Sequence, residues 1–189
     1  MFLVTTIEYL DLGLKIITVS FAGFAAWKAY TEFQLSRVQR RDDLLWKQAE
    51  AAKKLIDEWM TDEEAFAFCK MIEYEGRTFK NENEDPFVVN NKLIIAALND
   101  EKENMHTRGE VNLRYIRDCL DSFLYYTELA QQGIENKLYL LRNLKFPLRY
   151  YLSKLQKVNL YETVVEYAKE NGYKDSIALF RAVLKTDVK

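Results

Sequence analysis

Residues 116–130 read IRDCLDSFLYYTELA, and this stretch decides the fold class. Its largely apolar positions recur with the 3.6-residue period that places side chains on one face of an α-helix. Gly133 follows at a position where a helix commonly ends. We therefore expect a long amphipathic helix that packs into the core of an all-α domain. Its buried face is expected to consist of Ile116, Cys119, Leu120, Phe123, Thr127 and Ala130.

The composition of the whole chain agrees with a helical domain. Its 189 residues suffice for one domain of ordinary size with an appendage. Hydrophobic residues make up 49% and charged residues 30%, so the chain can build a core. The presence of only 6 Gly and 2 Pro argues against a turn-rich β fold. The net charge of −2 excludes a globally basic protein, and duplex DNA is not expected as a partner.

Further helices are predicted on both sides of this stretch. Residues 28–75 contain neither Gly nor Pro, which favours a helical stalk over residues 31–60. The sequence Thr61-Asp62-Glu63-Glu64 is typical of a capping box, where one helix ends and the next begins. Residues 73–87 are acidic, contain Gly76 and Pro86, and are predicted to form a loop. The remaining elements are expected at 87–98 (a short helix or a partly extended piece), 135–156 (a helix bent or split at Phe146-Pro147), 159–172 and from 175 onward.

The N-terminal 30 residues have a different character. The 18-residue stretch 10–27 contains only Asp11 and Lys15 as charged residues, and residues 16–27 contain none. A membrane-crossing helix needs roughly 20 predominantly apolar residues. We therefore expect an N-terminal transmembrane helix within residues 1–30, which would make lipid a partner. A buried apolar helix, or one lying flat on a bilayer, is the alternative.

The charges that flank this stretch predict its orientation. Residues 1–12 carry no Lys or Arg, whereas residues 28–41 carry four basic residues against one acidic residue. The positive-inside rule then predicts a single-pass inner-membrane protein with its N-terminus outside and residues 61–189 in the cytoplasm. A signal peptide would instead have its basic residues before the apolar run. Polar and small residues within the helix favour self-association, so a homo-oligomer is expected. The residues assigned to the membrane helix are Lys15, Thr18, Ala22 and Trp27.

A basic segment lies toward the C-terminus. Residues 137–157 contain six Lys and Arg residues and neither Asp nor Glu, and aromatic residues are interleaved with them. Arg142, Lys145 and Arg149 share one helix face at spacings of three and four. Such a face suits a polyanion, namely a nucleotide, a nucleic-acid strand or lipid headgroups. A solvated helix face with its tyrosines in the core is the alternative.

Two more arginines lie within the central helix. Arg114 and Asp118 are four residues apart, as are Arg117 and Asp121, which favours two ion pairs on the helix surface. The alternative is that they form the edge of a polar ligand site or of a subunit interface. The predicted ligand-binding residues are therefore Arg142, Lys145, Arg149, Arg114 and Arg117.

The sequence offers little for catalysis. His106 is the only histidine and lies in a polar segment, so neither a catalytic triad nor a zinc site is expected. Cys69 and Cys119 lie on apolar helix faces, which is typical of buried, inert thiols. No glycine-rich phosphate loop is present. We therefore expect a protein without a cofactor or a metal, and not an enzyme.

Three short motifs carry a family resemblance. They are WKQAE at 46–50, MIEYEGR at 71–77 and I-R-D-x-x-D at 116–121. Together with the apolar N-terminus, they resemble a loose group of bacterial single-pass membrane-anchored helical proteins of unknown function. The layout is also similar to small CRISPR-associated membrane effectors, whose helical domain binds a cyclic oligoadenylate.

This likeness implies a membrane-anchored sensor or effector. Its helical domain would bind an anionic ligand, such as a cyclic nucleotide in antiviral defence. It would then oligomerise and alter the membrane through the N-terminal helix. The alternative is a passive membrane-tethered scaffold that recruits a protein partner.

Overall fold

The protein is built from helices joined by short connections. A computed structural model describes residues 2–80, 86–99 and 108–185, with side chains from residue 13 onward except those of residues 16 and 108–110. Within these ranges the all-α class is confirmed. The elements are α1 (Phe2–Thr61), α2 (Glu63–Glu73), β1 (Arg77–Phe79), β2 (Phe87–Val89), α3 (Asn91–Asn99), α4 (Arg108–Glu135), α5 (Leu141–Lys157), α6 (Tyr161–Glu170) and α7 (Lys174–Lys185).

The predicted transmembrane helix is wrong. Among the described residues, no helix combines the length and the apolar character that crossing a bilayer requires. The uncharged run 16–27 lies between Lys15 and Lys28 and rises only about 18 Å along a helix, whereas the hydrocarbon core measures about 30 Å. The inner-membrane localisation and the orientation derived from it are therefore also wrong. Lys15, Thr18, Ala22 and Trp27 are therefore no longer assigned to a membrane-spanning helix. The Thr18 hydroxyl donates a hydrogen bond to the Leu14 carbonyl of α1 at 2.8 Å.

The chain divides into two compact units, Met1–Trp46 and Lys47–Lys189. In the second unit, α4 packs against α2, α3 and α7, and α5 packs against α2, α6 and α7. Phe123 of α4 lies in the core, with its ring centroid 5.3 Å from that of Phe68 and 6.3 Å from that of Phe180. The six residues predicted to form the buried face of α4 are all buried. The helical period at 116–130 therefore identified part of the core.

The boundary between α1 and α2 lies where the capping sequence predicts it. The N-cap is Asp62, whose carboxylate accepts a hydrogen bond from the Ala65 amide at 2.8 Å. Thr61 remains in α1, where its hydroxyl donates to the carbonyls of Asp57 and Glu58. The two helices thus meet at a single non-helical residue.

The segment predicted as a loop at 73–87 contains a strand. β1 pairs with β2 in an antiparallel hairpin, and Arg77 lies opposite Val89. Gly76 precedes β1 with φ of +79°, a conformation that glycine adopts without steric cost. Phe79 and Val89 are buried, so the hairpin adds two apolar side chains to the core. Strands of three residues leave too short a pattern for periodicity to detect.

Gly133 is not the end of α4, because the helix continues to Glu135. A Cβ at this position would collide with the ring of Tyr139. Tyr139 is itself held in place, since its hydroxyl donates to the Leu129 carbonyl at 2.9 Å. Gly133 therefore permits the close approach of the Tyr139 ring. The residues next to Gly133 in the sequence do not predict this contact.

Most of the basic segment, from Leu141 to Lys157, forms the single helix α5, which continues through Pro147. Its start at Leu141 lies later than predicted because Lys137 adopts φ of +58° in the preceding turn. The next helix is predicted to begin at Asn159, but Asn159 has φ of +59° and α6 starts after Leu160.

Candidate functional site

Helix α5 has two clearly different faces. Its inner face is buried in the domain and consists of leucines and one tyrosine. Its outer face carries Arg142, Phe146 and Arg149 at spacings of four and three, which place the three residues in one row. All three are exposed, and Phe146 is exposed to 85%. Lys145 lies beside this row and is half-buried. We call Arg142, Lys145, Phe146 and Arg149 the α5 face.

An acidic residue borders the α5 face. The Tyr150 hydroxyl donates to a carboxylate oxygen of Glu73 at 2.5 Å, and this hydrogen bond raises the pKa of Tyr150. The Lys154 ammonium lies 5.3 Å from the centroid of the Tyr150 ring. The Tyr150 ring also packs edge-on against Tyr151 at 5.1 Å. These contacts tie Tyr150 to α2 and to the core, so Phe146 is the more accessible ring for a ligand.

The other two predicted ligand-binding residues lie on a different helix. Arg114 and Arg117 belong to α4, whereas Arg142, Lys145 and Arg149 belong to α5. Arg114 is exposed and Arg117 is half-buried. The Arg117 Nε is buried and has no hydrogen-bond acceptor among the described residues. The structure therefore separates the five predicted residues into two groups.

Asp121 joins helices rather than forming the expected pair with Arg117. Its carboxylate accepts a hydrogen bond from the Tyr167 hydroxyl at 3.1 Å and another from the Tyr173 hydroxyl at 3.1 Å. Burial, followed by the charge of Asp121, raises the pKa of Tyr173 to about 12 and that of Tyr167 still further. Asp121 therefore fastens α4 to α6 and to the turn before α7, which is a structural task.

Asp118 lies in a partly acidic environment. Burial and the nearby carboxylate of Glu64 raise the pKa of the Asp118 carboxyl. The charges of Arg114 and Arg117 act in the opposite direction. Glu64 is itself engaged, since it accepts a hydrogen bond from the Ser122 hydroxyl at 2.7 Å. This region of α4 is less suited to an anion than the α5 face.

The thiols are buried, as predicted. Cys69 and Cys119 are both fully buried and are not joined in a disulfide. Burial raises the pKa of Cys119 to about 12 and raises that of Cys69 as well. Both side chains are therefore thiols at neutral pH and poor nucleophiles. His106 lies outside the described residues, and no group of metal-ligating side chains occurs within the described ranges.

A cleft of about 390 Å³ that the sequence did not indicate lies between α2, β1 and α4. It contains three cations, Lys70, Arg77 and Lys80, together with the carboxylates of Asp62 and Glu63. Lys70 already lies over the Phe66 ring, with its ammonium 4.1 Å from the centroid. The mixed charges make this cleft the weaker of the two candidates for an anion.

Comparisons with known proteins give no match. No protein-family model, no curated protein and no solved structure is detectably similar to this chain. The function therefore has to be argued from the geometry of the domain.

Proposed function

We propose that the helical domain binds an anionic, nucleotide-like ligand on the α5 face and that copies of the chain assemble. The observation that carries the proposal is the row Arg142, Phe146 and Arg149, which leaves one aromatic ring between two arginines on the exposed side of α5. Phe146 is exposed to 85%, and apolar surface left in water costs roughly 25 cal/mol per Å² relative to burial. A ligand that covers the ring would recover part of that cost.

The chemistry of the α5 face suits phosphate and a planar base together. Guanidinium groups donate two parallel hydrogen bonds to a phosphate, which makes arginine the preferred partner of such anions. Arg142 and Arg149 are seven residues apart, or about 10 Å along the helix axis. The face is therefore long enough to contact two anionic groups of one ligand. A nucleobase stacked on Phe146 would contribute about 1–3 kcal/mol.

The charge along the helix also favours this assignment. Residues 137–157 contain no Asp or Glu, and Glu73 of α2, which borders the α5 face, accepts a hydrogen bond from Tyr150. The cleft between α2 and β1 offers more concavity but sets two carboxylates against its three cations. Because an anion must overcome repulsion in the cleft, the α5 face is the better candidate.

Recruitment of a protein is the second candidate function, and Phe146 is the observation that favours it. Aromatic and arginine side chains are enriched among the residues that dominate protein interfaces. An acidic partner could therefore use the same row of Arg142, Phe146 and Arg149. This scaffold would bind without any nucleotide, which separates it from the first candidate.

A thermal-shift screen of the full chain tests the proposal. The probes are nucleoside mono-, di- and triphosphates, cyclic dinucleotides and cyclic oligoadenylates, with inorganic phosphate as the probe that lacks a base. We expect at least one nucleotide to raise the melting temperature and the double variant Arg142→Glu/Arg149→Glu to abolish that rise.

The matched control is Lys169→Glu/Lys174→Glu, which reverses two exposed charges on other helices and changes the net charge equally. It should keep the wild-type response. An absence of any shift in the wild type would contradict the proposal, as would an equal loss in both double variants. Capture of one stoichiometric protein without nucleotide, lost in Arg142→Glu/Arg149→Glu, would favour the scaffold.

A further inference from the structure

The N-terminal part of α1 exposes a regular row of large apolar side chains. Their exposed fractions range from 49% to 72%. Successive members are three, four and three residues apart, and the row resumes in the same phase after Lys28 and Thr31. We call these side chains the N-terminal stripe. Its members are Leu14, Ile17, Phe21, Phe24, Leu35 and Val38.

This spacing is that of a helix that packs along another helix. A repeat of 3.5 residues keeps one narrow row facing a partner when the two helices supercoil. Asp42 takes the next position of the row, where its carboxylate lies 3.8 Å from the Arg41 guanidinium. Beyond Asp42 the same phase continues through Leu45, Ala49, Ala52, Ile56 and Trp59 of α1. In the second unit, Ala52 and Trp59 are buried, and Trp59 packs edge-on against Phe123 of α4 and Tyr151 of α5. One end of the repeat is therefore already used to pack on helices.

The polar residues within the row are compatible with this use. The Thr31 hydroxyl donates to the Lys28 carbonyl at 2.8 Å, so its polar group is satisfied within α1. The Lys28 ammonium lies 3.9 Å from a carboxylate oxygen of Glu32, one turn further along the helix. A single lysine in such a row is known to set the register of paired helices at some cost in stability.

The residues that flank the row indicate which helix covers it. In a two-helix arrangement, the flanking positions of the two partners face each other, and charges there select the partner. Of the eight flanking positions from Thr18 to Arg41 in α1, only Glu32 and Arg41 are charged, and their charges are opposite, so the flanks of identical helices repel each other little. The others are Thr18, Ser20, Ala25, Trp27, Gln34 and Gln39.

We propose that the N-terminal stripe is the interface through which two copies of this chain assemble as paired α1 helices. Pairing would bury an apolar surface on the order of 1,000 Å², which is the lower limit for a biological interface. The inference rests on the assembly included in the proposed function and is independent of the ligand. It names the surface through which that assembly occurs.

The test compares two matched double variants of the full chain by light scattering over a range of concentrations. Ile17→Ser/Phe24→Ser alters the stripe at side chains exposed to 55% and 61%. Phe33→Ser/Leu44→Ser alters side chains exposed to 59% and 55% that lie off the stripe. We expect the wild type to dimerise and the first variant to raise the dimer dissociation constant at least about tenfold. The second variant should change it less than about twofold.

Other results would overturn the proposal. If both double variants weaken the dimer equally, the contact is an unspecific apolar one. If both variants float with phosphatidylcholine vesicles, lipid rather than a second copy covers the N-terminal stripe. If Ile17→Ser/Phe24→Ser still dimerises like the wild type, the N-terminal stripe is not the interface, although the chain does assemble. A monomeric wild type would refute both the interface proposed for the N-terminal stripe and the assembly included in the proposed function. Circular dichroism of each variant shows that its helices are retained, and Ile17→Ser alone provides a milder repeat of the first variant.

Discussion

Asp121 shows how a single residue can organise the domain. Sequence spacing predicts Arg117 as its partner, because the two residues are four apart on one helix. Its actual partners, Tyr167 and Tyr173, lie 46 and 52 residues further along the chain. Periodicity predicts which face a residue occupies but contains no information on which distant hydroxyl reaches it. The exposure of Arg142 and Arg149, in contrast, follows directly from their positions on α5.

Replacement of Asp121 should therefore destabilise the domain. Asp121→Ala leaves two partly buried tyrosine hydroxyls without their acceptor, and we expect a loss of about 1–3 kcal/mol in the free energy of unfolding. Asp121→Asn retains an acceptor oxygen and should cost less. Urea unfolding at pH 7 provides the measurement. A loss in Asp121→Asn as large as that in Asp121→Ala would mean that the charge, and not the hydrogen bonds, is what matters.

The same hydroxyls predict how stability depends on alkaline pH. The pKa of Tyr173 is raised to about 12 in the folded state, against an ordinary value of about 10 for tyrosine. A group whose pKa rises on folding contributes its full stabilisation below the ordinary pKa. It then loses that stabilisation as the pH rises toward the folded value.

The stability advantage of the wild type over Tyr173→Phe should therefore be constant below about pH 10 and shrink between about pH 10 and 12. Urea unfolding of both proteins from pH 8 to pH 11.5 gives the difference directly. An advantage that grows with pH would show that the sign of the pKa shift is wrong.

At the scale of elements, the long helices follow from the sequence and their short connections do not. The core side of α4 was evident because six positions repeat over four turns. The hairpin of β1 and β2 was missed because each strand has only three residues, and pairing depends on contacts across the connection. The role of Gly133 was misread because the ring that requires it, Tyr139, belongs to the following turn.

Gly133→Ala should destabilise the domain by about 1–3 kcal/mol, because the added methyl group collides with a buried ring. The control is Gly23→Ala, whose added methyl group meets no atom within 4 Å. It should leave the melting temperature unchanged or slightly raised, since alanine favours helix more than glycine. Thermal unfolding followed by circular dichroism distinguishes the two. Partial recovery in Gly133→Ala/Tyr139→Leu would confirm the clash, whereas a neutral Gly133→Ala would refute it.

At the scale of the molecule, the sequence correctly indicated an all-α protein but not how its N-terminal region is used. The apolar run 16–27 has the composition of a membrane helix, yet before Lys28 it reaches only about three-fifths of the length that a bilayer requires. The large side chains of this run are spaced as in a helix that packs against another helix. Composition does not show this, because it counts residues without regard to their spacing. Among the described residues, the α1 side chains that belong to the core cluster all follow Trp46.

Residues 42–189 should therefore fold without the rest of the chain. We expect this fragment to unfold in one cooperative transition, with a melting temperature close to that of the full chain, because none of the described side chains of the first unit belongs to the core cluster. Calorimetry of both proteins provides the measurement. A fragment without a cooperative transition would show that the first unit is required for folding.

An amide spectrum of this fragment shows residue by residue whether a nucleotide binds the α5 face. Titration with the nucleotide that gives the largest thermal shift should move the amide signals of residues 142–153, which include the α5 face. Changes confined to Lys70 and residues 77–80 of the cleft, or to residues 114–117 of α4, would contradict the claim.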